Sequence, residues 1–592
     1  MNVPNELPGA ATLVEALLER ASGPGGSAPM FTALGAGGEV IARLTPVELL
    51  GRVRAVAAAL GGAGRPGDRV IVPALPGLDF HVGFLGCLYA GMIAVPVPAV
   101  RAAVRRSTTT RAERLESICR DCEPVAVLVS TGAEAEAARS APDLPPAVAW
   151  IAVDRPAVAG GPGPGPGADA PAPAPAALDP TATALLQYTS GSTGDPRGVV
   201  VGQGNLVANQ RAMRDRCDID AGTTVVSWLP FFHDMGLCTG VVLPLVSGAT
   251  AVTMEPATFV RDPRVWLRAI EAEDDVFAAA PDFAYDLCVQ RVREEERARF
   301  DLSTWRVAAN GSEPVRATTL RRFAEAFRPA FFRAEVMTPG YGLAECTLIV
   351  TMGRPLYETP VVPYERDALA EGKAVPAASP ETGVELVGCG RTVADTRLRI
   401  VDPQTRRPMA DRVVGEIWVD APGNCGGYWG REKDSDEVFG ARLEGDGSEA
   451  AGRYVRTGDL GFIDEGELFV TGRLKDVLII AGENYFPQDV EAVAVAAHSA
   501  FAHQRAAAWP MDEDDRGVAV IVETAERDPA VLGAAVRAAG IAVARALPAP
   551  VSVYAVARNK VPRTTSGKIR RRACAQQVGR GALPLLAQWS SR

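Results

Sequence analysis

Apolar positions recur along this chain in two alternating rhythms. Between residues 182 and 340, short apolar runs at Thr224–Leu229, Ala249–Met254, Val276–Ala280 and Arg306–Ala309 predict strands. Stretches with helical spacing fall between them, at Asn205–Arg216, Asp262–Asp274, Phe283–Arg299 and Arg316–Phe327. Such alternation predicts an α/β layered fold with largely parallel sheets. Residues 45–155 carry the same rhythm after a short helical opening at Thr12–Arg20. From about 384 to 480 the pattern turns strand-rich, as in Gly415–Asp420 and Gly466–Gly472. After 476, a helix at Gln488–His498, a strand at Val518–Glu523, a helix near Pro529–Ala546 and a strand at Val551–Val556 predict a smaller α+β unit.

The longest apolar run, Val82–Val100, is broken by Gly83, Gly86, Gly91, Pro96 and Pro98. It predicts a buried helix followed by a strand, not a membrane span. The opening residues Met1–Pro8 carry no basic and apolar leader, and ten scattered cysteines suit a reduced cytoplasm, where this protein is expected. Cys119 and Cys122 form a lone C-x-x-C with no second pair, so neither zinc nor redox work is expected of them. The Pro/Gly/Ala tract Gly160–Ala177 cannot pack and is read as a surface insertion, because the strand–helix rhythm resumes directly after it.

Composition narrows the class. At 592 residues, 47% apolar and 22% charged, the chain is globular with ample material for a large core. Its net charge is −10, and no basic stripe with interleaved aromatics is present, which argues against a nucleic-acid partner. An anionic nucleotide would need local cations and backbone amides.

Such a place exists at Tyr188-Thr-Ser-Gly-Ser-Thr-Gly-Asp-Pro-Arg-Gly198. An apolar run ending in Leu185-Leu186-Gln187-Tyr188 leads into it, and Val199-Val200-Val201 leads out. Glycine lets backbone amides approach a phosphate, while Thr189, Ser190, Ser192 and Thr193 add hydroxyl donors. An ordinary polar turn shares this composition. The spacing is not that of a Walker A loop. The eleven positions resemble the phosphate loop of the adenylate-forming enzymes, YTSGSTGxPKG, with Arg197 where that pattern more often has Lys. Arg keeps the charge and adds a bidentate fork.

Further segments are similar to the fatty acyl-AMP ligase branch of that superfamily. They are Ser227-Trp-Leu-Pro-Phe-Phe-His-Asp-Met-Gly-Leu237, Pro281-Asp-Phe-Ala-Tyr-Asp-Leu-Cys288, Asn310-Gly-Ser-Glu-Pro-Val315 and Tyr341-Gly-Leu-Ala-Glu-Cys-Thr-Leu348. Ala344 matches the branch, where most adenylate-forming enzymes have Thr. Arg456-Thr-Gly-Asp459, Gly472-Arg-Leu-Lys-Asp476, Asn484-Tyr-Phe-Pro-Gln-Asp-Val-Glu491 and Pro562-Arg-Thr-Thr-Ser-Gly-Lys568 follow in order, so the resemblance spans essentially the whole chain.

The resemblance implies a large N-terminal adenylation domain over 1–474, with layered α/β sheets and a β-rich subdomain. A small mobile α+β domain over 475–592 would follow, with Lys475 as hinge and Lys568 as the swinging catalytic lysine. It implies ATP and Mg²⁺ as cofactors. Thr189, Ser190, Gly191, Ser192, Thr193, Gly194 and Arg197 would hold phosphate. Gly311, Ser312 and Glu313 would wall the adenine pocket, and Tyr341 would stack on the base. Asp459 would accept hydrogen bonds from the ribose hydroxyls, with Arg473 beside it. Glu345 would hold Mg²⁺, and His233 would stand beside the acyl carboxylate, with Asp234 orienting its loop. His81, His498 and His503 carry no motif.

The expected reaction is activation of a fatty or other carboxylic acid to an acyl-adenylate. An insertion at about 350–387, including Tyr364–Lys373, resembles the one that marks this branch, and implies transfer to an acyl carrier protein in trans. An acyl-CoA ligase is the alternative within enzymes, and a silent adenylate-binding regulator the alternative outside them.

Overall fold

The computed structural model describes residues 9–98, 109–131, 148–154, 174–176, 178–189, 196–380, 382–444, 452–480, 483–502, 504–511, 517–547, 549–563 and 569–591. The tract 160–177 therefore lies outside the described residues apart from 174–176, and the lysine loop 564–568 lies outside them altogether.

Two mostly parallel sheets form the bulk of the molecule. A nine-stranded sheet contains, side by side, Phe31–Leu34, Thr250–Met254, Thr224–Ser227, Val276–Ala280, Trp305–Asn310 and Met337–Gly342, all parallel in successive pairs. A six-stranded sheet pairs Arg69–Pro73, Ile93–Val97, Ala126–Val129, Ala149–Ala152 and Thr183–Thr189 in parallel, and ends on the antiparallel strand Arg197–Gly202. The central strands are buried on both faces: Val276–Ala280 and Ile93–Val97 are buried at every position. That is why they read as continuous apolar runs. The run Val82–Val100 resolves into the buried helix Asp79–Tyr89 and the strand Ile93–Val97.

The first helix runs Leu13–Ser22, because Thr12 and Glu15 form a reciprocal capping box at its start. The stretch Phe283–Arg299 is not one helix but two. Asp282–Arg291 ends where Val292 turns extended to bury its side chain, and Glu294–Arg297 adds a separate turn.

A four-stranded antiparallel sheet, Arg397–Val401, Gly415–Asp420, Val455–Asp464 and Glu467–Arg473, follows. The segment before it forms a hairpin, Val361–Glu365 paired with Gly383–Val387, with the short helix Arg366–Ala370 between. Tyr364 anchors this hairpin. Its ring packs against Phe462 and Phe469, and its hydroxyl donates to Asp464 at 2.8 Å. Arg321 adds a two-pronged grip on Glu385, at 2.7 and 2.6 Å.

Residues after 477 gather round a separate core. The strands Ala506–Pro510, Val518–Thr524, Val551–Ala557 and Leu585–Ser590 form one sheet covered by Pro487–Ala496 and Pro529–Ala546. Gly540 lets the long helix lie on Trp589, because a Cβ there would stand 1.9 Å from the ring. The helix Arg366–Ala370 of the hairpin lies beside the strand Glu483–Tyr485 of this unit.

Candidate functional site

The parallel strands Thr224–Ser227, Val276–Ala280, Trp305–Asn310 and Met337–Gly342 all end at the same edge. In open parallel sheets the crevice beyond the carboxyl ends of the strands is where ligands bind. Here that crevice is a cavity of about 2300 Å³, bordered also by the ends of Thr183–Thr189 and Arg197–Gly202 and by the C-terminal unit. His233, Glu313, Tyr341, Glu345, Asp459, Arg473 and Lys475 all line it.

The loop after Thr224–Ser227 delivers His233 to the start of the short helix Asp234–Leu237. Its Nδ1 lies 2.6 Å from Asp234 Oδ1, and the same oxygen accepts from the Met235 amide, so Asp234 fixes the imidazole and the helix start together. Gln187 ties this loop to the neighbouring sheet by donating to the Phe232 carbonyl at 2.8 Å. His81, by contrast, is a core residue. It is wedged against Phe31 and Phe231, and burial pushes its pKa down to about 3, so it stays neutral.

The loop after Trp305–Asn310 carries Gly311, Ser312 and Glu313. Gly311 approaches the Gly340 carbonyl so closely that a Cβ would stand 2.8 Å from it. Ser312 takes a left-handed backbone, φ 70°. The Glu313 carboxylate accepts the Phe283 amide at 2.7 Å. Asp282, fully buried, pins this loop through Arg316 Nε at 2.7 Å, Asn310 at 3.2 Å and Thr319 at 2.9 Å. Burial raises the Asp282 pKa, and the Arg316 charge works against that rise.

Tyr341 and Asp459, 118 positions apart, meet directly: the phenol donates to Asp459 Oδ2 at 2.9 Å. Asp459 Oδ1 accepts from Arg473 Nε at 2.9 Å, across the paired strands Val455–Asp464 and Glu467–Arg473. The Asp459 charge raises the Arg473 pKa further, and burial followed by that same charge raises the Tyr341 phenol well above its ordinary value. Lys475 follows two residues after this strand pair.

At the phosphate-loop end, Thr189 and Arg197 stand opposite each other in the antiparallel register and bracket the intervening residues. Ser190, Gly191, Ser192, Thr193 and Gly194 lie outside the described residues. The Arg197 guanidinium sits 5.3 Å over the Tyr428 ring and 3.4 Å from Asp434. Tyr428 in turn donates to Glu345 Oε1 at 2.8 Å. Lys568 also lies outside the described residues; its flanks Arg563 and Ile569 pair with each other and border the cavity.

Part of the cavity wall is apolar, with Met213, Phe277, Phe283, Leu287 and Ile349 among the residues that line it. Phe283 and Leu287 project from one face of Asp282–Arg291 at helical spacing.

Residues 27–429 match the family described as AMP-binding enzyme. The chain belongs to this adenylate-forming family. The AMP-binding enzyme resembles the fatty acyl-AMP ligases of that family. It is 33% identical to the medium-chain-fatty-acid–[acyl-carrier-protein] ligase JamA of Moorena producens, over 92% of this chain and 91% of that one. It is 36% identical to the long-chain-fatty-acid–AMP ligase FadD26 of Mycobacterium bovis, over 90% and 91%. The fatty acyl-adenylate ligase of Legionella pneumophila, solved with acyl adenylate and pyrophosphate, superposes with a TM-score of 0.71 at 31% identity and covers 98% of both chains. The enzyme is an AMP-forming ligase with the mixed α/β architecture of that family.

Sequence reasoning left Gln187, Asp282 and Tyr428 of this ligase without roles. Asp282 stood in a quoted segment, and an acidic residue at the start of a helical pattern is the signal that was present. Tyr428 sat in no such pattern. The cysteines behave as expected of buried thiols: Cys119 and Cys122 share one helix, and burial pushes them to about 11 and about 12. Among the described residues no three His, Cys, Asp or Glu side chains cluster to hold a metal.

Proposed function

We propose that this ligase activates a fatty acid with ATP and hands the acyl group to the phosphopantetheine thiol of an acyl carrier protein in trans, in the cytoplasm, for lipid, polyketide or lipopeptide synthesis. In the first half-reaction a carboxylate oxygen attacks the α-phosphorus, the α–β bridging P–O bond breaks, and pyrophosphate leaves. In the second, the thiol sulfur attacks the acyl carbon, the acyl–phosphate bond breaks, AMP leaves, and the thiol proton passes to solvent.

An anion must approach an anion, so placed positive charge is the main requirement. Lys568 supplies it to the attacking carboxylate and the α-phosphate. The residues 189–194 and Arg197 bind the phosphates. Asp459 and Arg473 hold the ribose; Tyr341 and the 311–313 loop border the base. His233, oriented by Asp234, sits beside the acyl carboxylate. Lys475 is the hinge between a large domain, 1–474, and a small one, 475–592.

Glu345 fits a Mg²⁺ ion: it lines the cavity with one oxygen held by Tyr428, and Mg²⁺ needs only one or two carboxylates when phosphates and waters complete its shell. When bound, the ion neutralises charge on the departing pyrophosphate.

The observation that carries the acceptor assignment is the 361–387 hairpin. It is anchored on the large unit by Tyr364 and Arg321, and its helix lies beside the C-terminal unit. A contact worth a few kcal/mol in one domain arrangement biases a two-state equilibrium by orders of magnitude. It would disfavour the arrangement that free coenzyme A needs. JamA, by its name, is a ligase for a carrier protein. ATP–pyrophosphate exchange across acids of varied length, followed by product analysis with coenzyme A or holo-carrier, tests both halves. Carrier loading with little acyl-CoA is expected. Efficient acyl-CoA formation without carrier loading overturns the acceptor assignment, and the absence of any acid-dependent exchange overturns the ligase itself.

A further inference from the structure

A half-buried arginine lines the cavity at the end of the strand Thr183–Thr189. Arg114 belongs to the helix Thr109–Cys122, which lies across the end of the strand Thr183–Thr189. Two contacts fix that placement. The Tyr188 phenol donates to Asp121 at 2.5 Å, and Arg114 Nη2 donates to the Tyr188 carbonyl at 3.4 Å. Positions 114, 118 and 121 fall on one helix face, with Ile118 packed in the same apolar cluster as Tyr188. The guanidinium opens on the cavity that Thr189 and Arg197, the two residues bracketing the hydroxyl- and glycine-rich loop, also line.

Several other cations that line the cavity are paired with carboxylates. Arg197 has Asp434, Arg473 has Asp459, and Arg571 has Glu491 and Asp476. Among the described residues Arg114 pairs with no carboxylate, and its Nε is buried without a hydrogen-bond acceptor. A buried guanidinium left with free donors is costly unless a ligand supplies acceptors. Burial depresses its pKa, and the nearby positive charge of Arg570 depresses it further. Arg570 lines the same cavity from the C-terminal unit. Two like charges thus face one space from the two halves of the molecule.

We propose that Arg114 and Arg570 form a clasp for the β- and γ-phosphates of ATP, and for pyrophosphate, with one guanidinium supplied by each unit. This rests on the adenylate-forming reaction and adds to it two binding residues outside the phosphate loop. A pyrophosphate group carries several acceptor oxygens and enough charge to satisfy both guanidinium groups, whereas the single phosphate of AMP, held at the α-position, is out of the clasp.

The test uses the full-length enzyme with ATP, magnesium pyrophosphate and AMP as separate probes. Arg114→Gln and Arg570→Gln should each raise the KM for ATP and the inhibition constant of pyrophosphate about tenfold, as expected for one charge-assisted contact. The Kd for AMP should stay unchanged. The double variant should lose less than the product of the two single losses, because both residues hold one anion. Arg114→Lys, which keeps the charge, should recover part of the loss and guards against a folding defect. Unchanged ATP and pyrophosphate constants in Arg114→Gln overturn the clasp, and so does equal weakening of AMP. Wild-type exchange activity persists in either case if only the clasp is wrong, and is missing if the adenylation reading is wrong.

Discussion

Tyr428 donates its phenolic hydrogen to Glu345, 83 positions earlier in the chain, at 2.8 Å, while Arg197 lies over the same ring. One aromatic side chain thus connects the cation proposed to bind phosphate with the carboxylate proposed to hold Mg²⁺. Burial, with the Glu345 charge adding to it, pushes the Tyr428 hydroxyl above its ordinary range, so it remains a donor at any physiological pH.

Tyr428→Phe keeps the ring under Arg197 and removes only that donor. A hydrogen bond to a charged group contributes about 1.5–3 kcal/mol, so kcat/KM for ATP should fall about tenfold or more. The loss should shrink at high Mg²⁺ if Glu345 is a metal ligand. A magnesium titration of pyrophosphate exchange reads this directly, and a loss indifferent to Mg²⁺ would remove Glu345 from the metal site.

Arg197→Lys should be nearly silent, and Arg197→Met should not. Lys keeps the charge near phosphate but gives up the planar contact with Tyr428, which is worth about 0.5–1 kcal/mol at a half-exposed site. The KM for ATP should rise only about two- to fivefold in the first variant and much more in the second.

Lys568→Ala should cut adenylate formation by orders of magnitude, as loss of about 3–4 kcal/mol of transition-state stabilisation does, with ATP binding nearly intact. Single-turnover formation of the adenylate is the measurement, and an unchanged rate would remove Lys568 from the chemistry.

Asp459→Ala should weaken ATP more than it slows turnover at saturating ATP, since ribose contacts act in ground and transition states alike. The substitution also frees Tyr341 and Arg473 from their shared acceptor, so some loss of melting temperature should accompany it. A loss confined to kcat would contradict the ribose role.

Asp489 faces the hairpin from the C-terminal unit. Burial pushes its pKa up to about 6, against the pull of Arg366. The folded state therefore holds the proton more tightly than the unfolded one. Its stabilising effect is complete below the unfolded value of about 3.8 and is lost as pH rises through about 6. Asp489→Asn should flatten that window and raise stability at pH 7 by about 1 kcal/mol, since Asp489 keeps part of its hydration. Melting temperatures from pH 4 to 8 check the sign.

Much of the fold was legible because burial leaves a local periodicity. Val276–Ala280, Gly415–Asp420 and Pro529–Ala546 appear with the boundaries their apolar spacing predicts. Phe283–Arg299 misled because its spacing stays helical through a break that only the burial of Val292 imposes. The hairpin within 350–387, held by Tyr364, was not legible, because its strands Val361–Glu365 and Gly383–Val387 are half-buried and carry no clean alternation.

The sequence by itself determined the layered α/β class, the order of the motifs and the kind of chemistry, because each rests on residues close together in the chain. Only the tertiary structure decided which of those motifs touch. Tyr341 reaches Asp459, Tyr428 reaches Glu345, Gln187 reaches Phe232, and Arg114 reaches the Tyr188 carbonyl from the helix Thr109–Cys122. Such pairs are set by how sheets and helices stack, and the cost of closing the long loops between them is offset by packing spread over the whole core. No window of the sequence holds that information, so the partners of the site residues became visible only once the layers were assembled.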